Sequence, residues 1–178
     1  MLILCLFSGW GCVRRISQVH PNYSERHDPN NKPRLHGGLV IKHNANQRYA
    51  TNSVGAAFIR RFAEISNDSE GINNAHPDSV AVQEFAVKAD SGCGTTIGPI
   101  TAGKTGIRTV DVGPPQLSMH SCREMMATKD VVCAVKLFAT AFRTYAAVVK
   151  AIDIEGCTSD PFWAEPGNGW GLNTLSQC

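Results

Sequence analysis

Short β-branched runs alternate along the chain with segments whose apolar residues recur at helical spacing, and this alternation limits the fold more than any other feature. Strands are predicted at residues 39–43, 80–89 and 107–113. A helix is predicted after Asn52, a favourable N-cap residue, because apolar residues then recur at positions three and four apart. Strands that alternate with helices indicate an α/β domain with a central sheet flanked by helices.

Two further helices are predicted in the C-terminal part. Ser121 and Glu124 have the spacing of a capping box, which predicts a helix that begins at Cys122. After Asp130, a second possible N-cap, apolar residues step by four and three over about six turns. We interpret this stripe as the core-facing side of a helix, although a side that packs on a partner subunit has the same pattern. The stripe comprises Val131, Val135, Phe138, Phe142, Tyr145, Val149 and Ile152.

Composition favours one domain and excludes several classes of partner. The chain has 178 residues, 43% of them hydrophobic, which is enough for one core. Its net charge of +2 is spread without long runs of one sign, so neither nucleic acid nor an anionic membrane is indicated. The seven cysteines never form a C-x-x-C pair, which fits a reducing compartment better than a disulfide framework. We found neither a signal peptide nor a membrane span in the sequence and expect a soluble, cytoplasmic protein.

The segment GPITAGKT, Gly98 to Thr105, matches the spacing of a phosphate-binding loop. Such a loop must lead directly into a helix whose N-terminus faces the phosphates. Here Thr105 is followed by Gly106 and a β-branched run, and Pro99 lacks an amide donor. A short helix that starts at Thr95 or Thr96, directs Ile97 and Ile100 to the core and ends near Gly106 is the better interpretation. Nucleotide binding is therefore a low-ranking alternative.

Four motifs together resemble the aspartyl aminopeptidases, a family of zinc metallopeptidases. They are VHPNY at 19–23, IKHNANQRYATN at 41–52, CGTTIGPI at 93–100 and VDVGPPQLSMHSCREM at 110–125. The resemblance extends from about Val19 to Val149 and covers only the C-terminal part of the family's catalytic domain. It implies an α/β fold, namely a partial zinc-peptidase catalytic domain with a mixed central β-sheet flanked by helices.

The resemblance also implies an activity and its partners. Family members use two zinc ions to release N-terminal Asp or Glu from peptides, and they form large homo-oligomers. Three positions of this chain match family site residues. His120 resembles the final zinc ligand, Lys42 resembles the anchor for the acidic side chain of the substrate, and Tyr49 resembles a hydroxyl donor to the oxyanion of the tetrahedral intermediate.

The chain also departs from the family pattern. Arg14 and Ser17 stand where the family has an aspartate zinc ligand and a substrate-contacting histidine, and arginine cannot ligate zinc. We therefore divide the chain into a non-family segment at 1–18, a catalytic-domain part at 19–154 and an irregular tail at 155–178. We expect a truncated chain that is inactive alone. The alternative is a non-catalytic remnant that acts as a structural or binding partner in a family oligomer.

Histidines 20, 27, 36 and 43 match no compact ligand spacing and are left unassigned, and Cys93 is interpreted as a small, partly buried thiol.

Overall fold

A four-stranded mixed sheet forms the centre of the computed structural model, which describes residues 2–6 by their backbone and residues 19, 24, 27–72, 76, 78–90 and 92–151 in full. The strands are β1 (Leu2–Leu6), β2 (Leu39–Asn44), β3 (Val82–Val87) and β4 (Arg108–Gly113), in the spatial order β1-β4-β2-β3. The helices are α1 (Ser53–Ser69), α2 (Gly98–Thr105) and α3 (Thr128–Ala151). The chain divides into two compact units, Met1–Phe142 and Arg143–Cys178, and the sheet lies in the first.

Strand β2 is one of the two inner strands of the sheet and carries Lys42. Its first three residues are fully buried, as expected for a β-branched run covered on both faces. It pairs in parallel with β3, where Lys42 is opposite Phe85, and antiparallel with β4, where Val40 is opposite Gly113. The predicted α/β fold with a mixed sheet is confirmed.

Helix α1 has the predicted N-cap, and its predicted apolar face is confirmed at Phe58 and Phe62 but is wrong at Ala57, which is exposed. The Asn52 side chain accepts a hydrogen bond from the Gly55 amide at 2.7 Å. Phe58 and Phe62 are almost completely buried, and Gly55 lies so close to β4 that a Cβ there would be 3.2 Å from Val110. Helix α1 therefore connects the parallel strands β2 and β3 and covers one face of the sheet.

Helix α2 is formed by the eight residues of the GPITAGKT segment themselves. It ends at Gly106, which has a left-handed conformation with φ 67°. Because these residues form a helix, they cannot form a phosphate-binding loop, and that hypothesis is wrong. The expectation that Ile97 and Ile100 face the core is also wrong: they are 58% and 56% exposed, since the helix packs on the sheet through Gly98.

The predicted capping box at Ser121 does not start a helix. Glu124 accepts a hydrogen bond from the amide of His120 at 2.5 Å, and the Ser121 hydroxyl accepts one from Arg123 at 3.0 Å. These contacts close a turn between two short antiparallel strands, β5 (Gln116–Leu117) and β6 (Met125–Met126). The predicted helix at Cys122 is therefore wrong, because the side chains satisfy amides within a hairpin.

Helix α3 is present, but its predicted cap and buried side are both wrong. Asp130 lies inside the helix and is fully buried, and its carboxylate accepts amides of the segment before β2. Within the first unit, Val135 and Phe142 of the predicted core stripe are 64% and 80% exposed. The residues that are buried instead are Cys133, Leu137 and Ala141. The helix is apolar around most of its surface, so periodicity did not identify the inner side.

Among the described residues, α3 is the one helix that is long and apolar enough to cross a membrane. This differs from the expectation that the sequence contains no segment long and apolar enough to cross a membrane. A single helix of this kind is weak evidence of a span, because core helices have the same length and composition.

Candidate active site

Lys42 lies on β2 with its side chain buried, at 4% exposure. Since paired residues of neighbouring strands project to the same face, Lys42 shares a face of the sheet with Phe85. Its Nζ atom is 3.8 Å from the position that a Cβ on Gly113 would occupy. Because Gly113 is opposite Val40, the ammonium leans toward the C-terminal end of β4.

Tyr49 lies in the loop between β2 and α1 and is also 4% exposed. Its ring packs in a cluster with Val40, Phe85 and Val87, and its hydroxyl is 3.3 Å from the Sγ atom of Cys93. Val40 and Phe85 project to the same face as Lys42. The structure therefore brings two of the three predicted site residues, Lys42 and Tyr49, to one face of the sheet.

The backbone on both sides of Tyr49 is held by hydrogen bonds to distant residues. The Thr96 amide donates to the Arg48 carbonyl at 3.1 Å. The Ala50 amide donates to Oδ2 of Asp111 at 2.7 Å, and the Asp111 amide donates to the Thr51 hydroxyl at 2.9 Å. The CGTT motif and the strand that contains Asp111 thus fix the loop that carries Tyr49.

Asp111 is an acidic residue in the middle of a buried strand, at 1% exposure. Burial raises the pKa of its carboxyl above the ordinary value, and hydrogen bonds from Ala50 and Thr96 with the nearby charge of Lys42 oppose that increase. One further step of the β2–β4 register places Asp111 opposite Lys42. The sequence analysis did not select this residue, although an aspartate inside a β-branched strand is itself unusual.

His120 is exposed and lies in the turn between β5 and β6. Its backbone has a left-handed conformation with φ 67°, which is uncommon for a residue other than glycine. The chain reaches this turn from the end of β4 through Pro114 and Pro115. His120 is therefore attached to the same end of β4 toward which the Lys42 ammonium leans, although it lies on a separate hairpin.

Within the part of the chain that the structure describes, no three His, Cys, Asp or Glu side chains are grouped so that they could hold a metal ion. His120 can offer one imidazole, which is too few for a zinc site. The described residues therefore do not fit a complete zinc centre. Arg14, Ser17 and His20, the positions near the expected upstream ligands, lie outside the described residues.

An open cavity of about 390 Å³ lies near the N-terminal end of α1, lined by His43, Asn52 and Arg60 among others. His43 follows Lys42 on β2, so its side chain projects to the opposite face. Burial, and then the charge of Arg60, lower the pKa of His43. This cavity is therefore separate from the face that carries Lys42 and Tyr49.

The chain is similar in sequence to a known protein family. Residues 15–142 match the family model described as aminopeptidase I zinc metalloprotease (M18). The chain is 48% identical over 137 residues to a probable aspartyl aminopeptidase of Ricinus communis, and 46% identical over 137 residues to aspartyl aminopeptidase 1 of Schizosaccharomyces pombe. In both comparisons the matched region is 77% of this chain and 26% of the relative, so the chain spans about a quarter of their length.

Solved structures agree with the sequence comparison. The structure of an Ape4 and Nbr1 complex matches with a TM-score of 0.69 and 40% identity, over 89% of this chain and 26% of that chain. The crystal structure of prApe1 matches with a TM-score of 0.67 and 33% identity, over 83% of this chain and 27% of that chain. A dodecamer of mApe1 from S. cerevisiae matches with a TM-score of 0.59 and 30% identity, over 83% of this chain and 28% of that chain.

Proposed function

The chain belongs to the aminopeptidase I zinc metalloprotease family, and from that premise we propose that it is the C-terminal part of a catalytic domain that releases N-terminal Asp or Glu from peptides. Two of the relatives named above are an aspartyl aminopeptidase and a probable one. The observation that supports this role best is the placement of the buried Lys42 and Tyr49 on one face of the sheet.

In this proposal Lys42 determines the preference for an acidic first residue. A buried ammonium favours an anionic group over a neutral one, because charge interactions are strong where water is excluded. The side chain leans toward the C-terminal end of β4. A substrate carboxylate at that position would accept a charge-assisted hydrogen bond from Nζ.

Tyr49 is proposed to act on the reacting carbonyl. Its hydroxyl can donate to the oxygen that becomes negative in the tetrahedral intermediate, a contact worth about 3 kcal/mol in comparable sites. The hydrogen bonds at Arg48 and Ala50 hold the backbone on both sides of this residue. Such preorganisation is what an oxyanion donor requires, because the donor must not reorganise during the reaction.

The family is a zinc metalloprotease family, and bound zinc activates water and polarises the scissile carbonyl. We propose His120 as the one ligand that the described residues contribute, to a pair of ions in the assembled site. Because one imidazole cannot hold such a pair, we propose that the chain alone is inactive. The proposed substrates are peptides with an acidic first residue, and the proposed setting is a cytoplasmic homo-oligomer.

A second candidate function is a non-catalytic partner inside a family oligomer. It is favoured by the exposed apolar residues of α3, Val135 and Phe142, which would suit a protein interface. One similar structure is a dodecamer. Co-purification of the chain with a full-length relative would support this candidate.

The decisive experiment for the aminopeptidase role places this segment in a complete protein. Residues 19–142 replace the matching part of the S. pombe aspartyl aminopeptidase 1, and release of aspartate from Asp-Ala amide is compared with release of asparagine from Asn-Ala amide. We expect Tyr49→Phe to lower kcat about 100-fold, and Lys42→Met to reduce the preference for the acidic peptide about 10- to 100-fold.

Arg61→Met is the matched control, because Arg61 is an exposed cation on α1. It should change neither quantity. If the Lys42→Met and Tyr49→Phe chimeras both release aspartate as fast and as selectively as the unsubstituted chimera, the proposed roles of these residues are wrong. The purified 178-residue chain should release no aspartate, and turnover by it would contradict the proposal that it is inactive alone.

A further inference from the structure

Asp111 contacts the Tyr49 loop through both its side chain and its backbone. Its carboxylate accepts the Ala50 amide at 2.7 Å, and its own amide donates to the Thr51 hydroxyl at 2.9 Å. These contacts join positions about sixty residues apart, so the loop is not held by its own sequence neighbours. Ala50 follows Tyr49 directly, which makes this the nearest fixed point to the phenol on its C-terminal side.

The same carboxylate also contacts the other segment that holds Tyr49. Gly98, at the start of α2, packs so closely that a Cβ there would be 2.4 Å from Oδ2 of Asp111, and the Gly98 amide donates to the Thr96 hydroxyl at 3.3 Å. Thr96 in turn donates its amide to the Arg48 carbonyl at 3.1 Å. Cys93, three residues before Thr96, supplies the thiol that contacts the Tyr49 hydroxyl. The backbone after Tyr49 is therefore hydrogen-bonded to Asp111, and the segment that holds Arg48 and carries Cys93 packs against the same carboxylate at Gly98.

The surroundings of Asp111 leave little room for rearrangement. A Cβ on Gly98 would be 2.4 Å from Oδ2 of Asp111 and 3.1 Å from the Cβ of Ala50. The start of α2, the Tyr49 loop and β4 thus meet at this carboxylate without space for a larger side chain. The hydrogen bond from the Ala50 amide to this carboxylate is charge-assisted, and such a bond is stronger than one to a neutral amide oxygen in its place.

We propose that Asp111 is the positioning residue of the site, which holds the Tyr49 hydroxyl where an oxyanion donor is needed. This inference rests on the role proposed above for Tyr49, but the placement of the phenol can be measured without turnover. Asp111 itself acts through the loop and does not contact substrate in this proposal.

The test uses the complete 178-residue chain, in which the three tyrosines are replaced by fluorotyrosine. Tyr49→Phe identifies the fluorine NMR line of Tyr49. In Asp111→Asn we expect that line to move toward its position in the unfolded chain, and the Ala50 amide to exchange with solvent about tenfold faster, because a charge-assisted hydrogen bond is lost.

Asp130→Asn is the matched control, because Asp130 is as buried as Asp111 and its carboxylate also accepts backbone amides, those of His36 and Gly38. It should lower the stability of the chain without moving the Tyr49 line. If Asp111→Asn alters the Tyr49 line and the Ala50 exchange no more than Asp130→Asn does at equal stability, Asp111 is merely structural and the proposal fails.

A second variant covers the case in which Asp111→Asn does not fold. Thr51→Val removes the hydroxyl that accepts the Asp111 amide but keeps the carboxylate, and it should move the Tyr49 line in the same direction by a smaller amount. An unchanged line would overturn the proposal. Because neither measurement involves turnover, these outcomes are independent of whether aspartate is released by the chimera described above.

Discussion

The Asp130 carboxylate accepts a hydrogen bond from the backbone amide of Gly38 at 2.9 Å, between positions 92 residues apart in sequence. It also accepts the His36 amide at 2.9 Å, so α3 is fastened to the segment that leads into β2. We expect Asp130→Ala to lower the free energy of unfolding by about 3 kcal/mol, because two charge-assisted hydrogen bonds are lost and a buried amide is left without its acceptor. Urea denaturation measures this change.

The control for that variant is Asp78→Ala, because Asp78 is exposed. Its effect should stay within about 0.5 kcal/mol. If the two substitutions cost the same, the Asp130 contacts do not fasten α3 in the way described.

Two glycines of α2 should respond oppositely to alanine. At Gly98 a Cβ would be 2.4 Å from the Asp111 carboxylate, whereas at Gly103 nothing lies within 4 Å. We expect Gly98→Ala to destabilise the chain by about 2 kcal/mol through overpacking. Gly103→Ala should stabilise it by up to about 1 kcal/mol, since alanine has the higher helix propensity. Thermal unfolding of both variants checks the pair, and a stabilising Gly98→Ala would disprove the close approach.

The inner and outer sides of α3 can be distinguished by truncation of neighbouring positions. Leu137 is fully buried and Val135 is 64% exposed. Leu137→Ala should cost about 2 to 5 kcal/mol through cavity formation, and Val135→Ala should change stability by about 0.5 kcal/mol at most. Equal losses in denaturant melts would show that the helix is rotated from the described orientation.

The exposed side of α3 should also promote self-association. Phe142 is 80% exposed and Val135 is 64% exposed on the same helix. Replacing both with serine should lower light scattering and binding of an apolar dye at equal protein concentration, because less apolar surface contacts water. If the double variant scatters light as strongly as the wild type, self-association does not involve the exposed side of α3.

The pH dependence of stability should carry a contribution from Asp111. Its folded-state pKa is raised above the ordinary value of 3.8, mainly by burial, so the folded chain binds the proton more tightly than the unfolded chain. The contribution of Asp111 to the free energy of unfolding is therefore fully present at a pH below 3.8, the ordinary pKa of the unfolded chain, and it is lost as the pH rises through the folded-state pKa. Subtracting the pH profile of Asp111→Asn from that of the wild type isolates this carboxyl, and a difference that grows with pH would contradict the assigned direction.

Sequence patterns identified the parts of the fold that local chemistry determines. The Asn52 cap, the burial of Phe58 and Phe62 on α1 and strands β2 and β4 all follow from residue type and spacing over a few positions. The hydrogen bonds of Asp130 and Glu124 were not predictable in this way. The Asp130 carboxylate binds an amide 92 residues away, which only the folded chain brings near. The Glu124 carboxylate binds the amide of His120 inside a local turn, and this bond competes with the capping box that the same residues could form.

The candidate site was partly predictable for the same reason. Lys42 and Tyr49 stand in motifs that resemble the family, and the structure brings them to one face. Asp111 required the structure, because its partners Ala50 and Thr51 come from another segment of the chain. The prediction that the apolar stripe of α3 faces the core was wrong, because the apolar residues of a helix do not show by themselves which side is covered.

The order of pairing around β2 sets an expectation for how the sheet assembles. Strand β2, helix α1 and strand β3 form one continuous stretch, whereas Val40 meets Gly113 only after a longer loop closes. Loop closure costs more entropy and time as the separation grows. Pulsed hydrogen exchange during refolding should therefore protect α1 and β3 before β4, and the pocket for Tyr49 would be completed last, when Asp111 arrives.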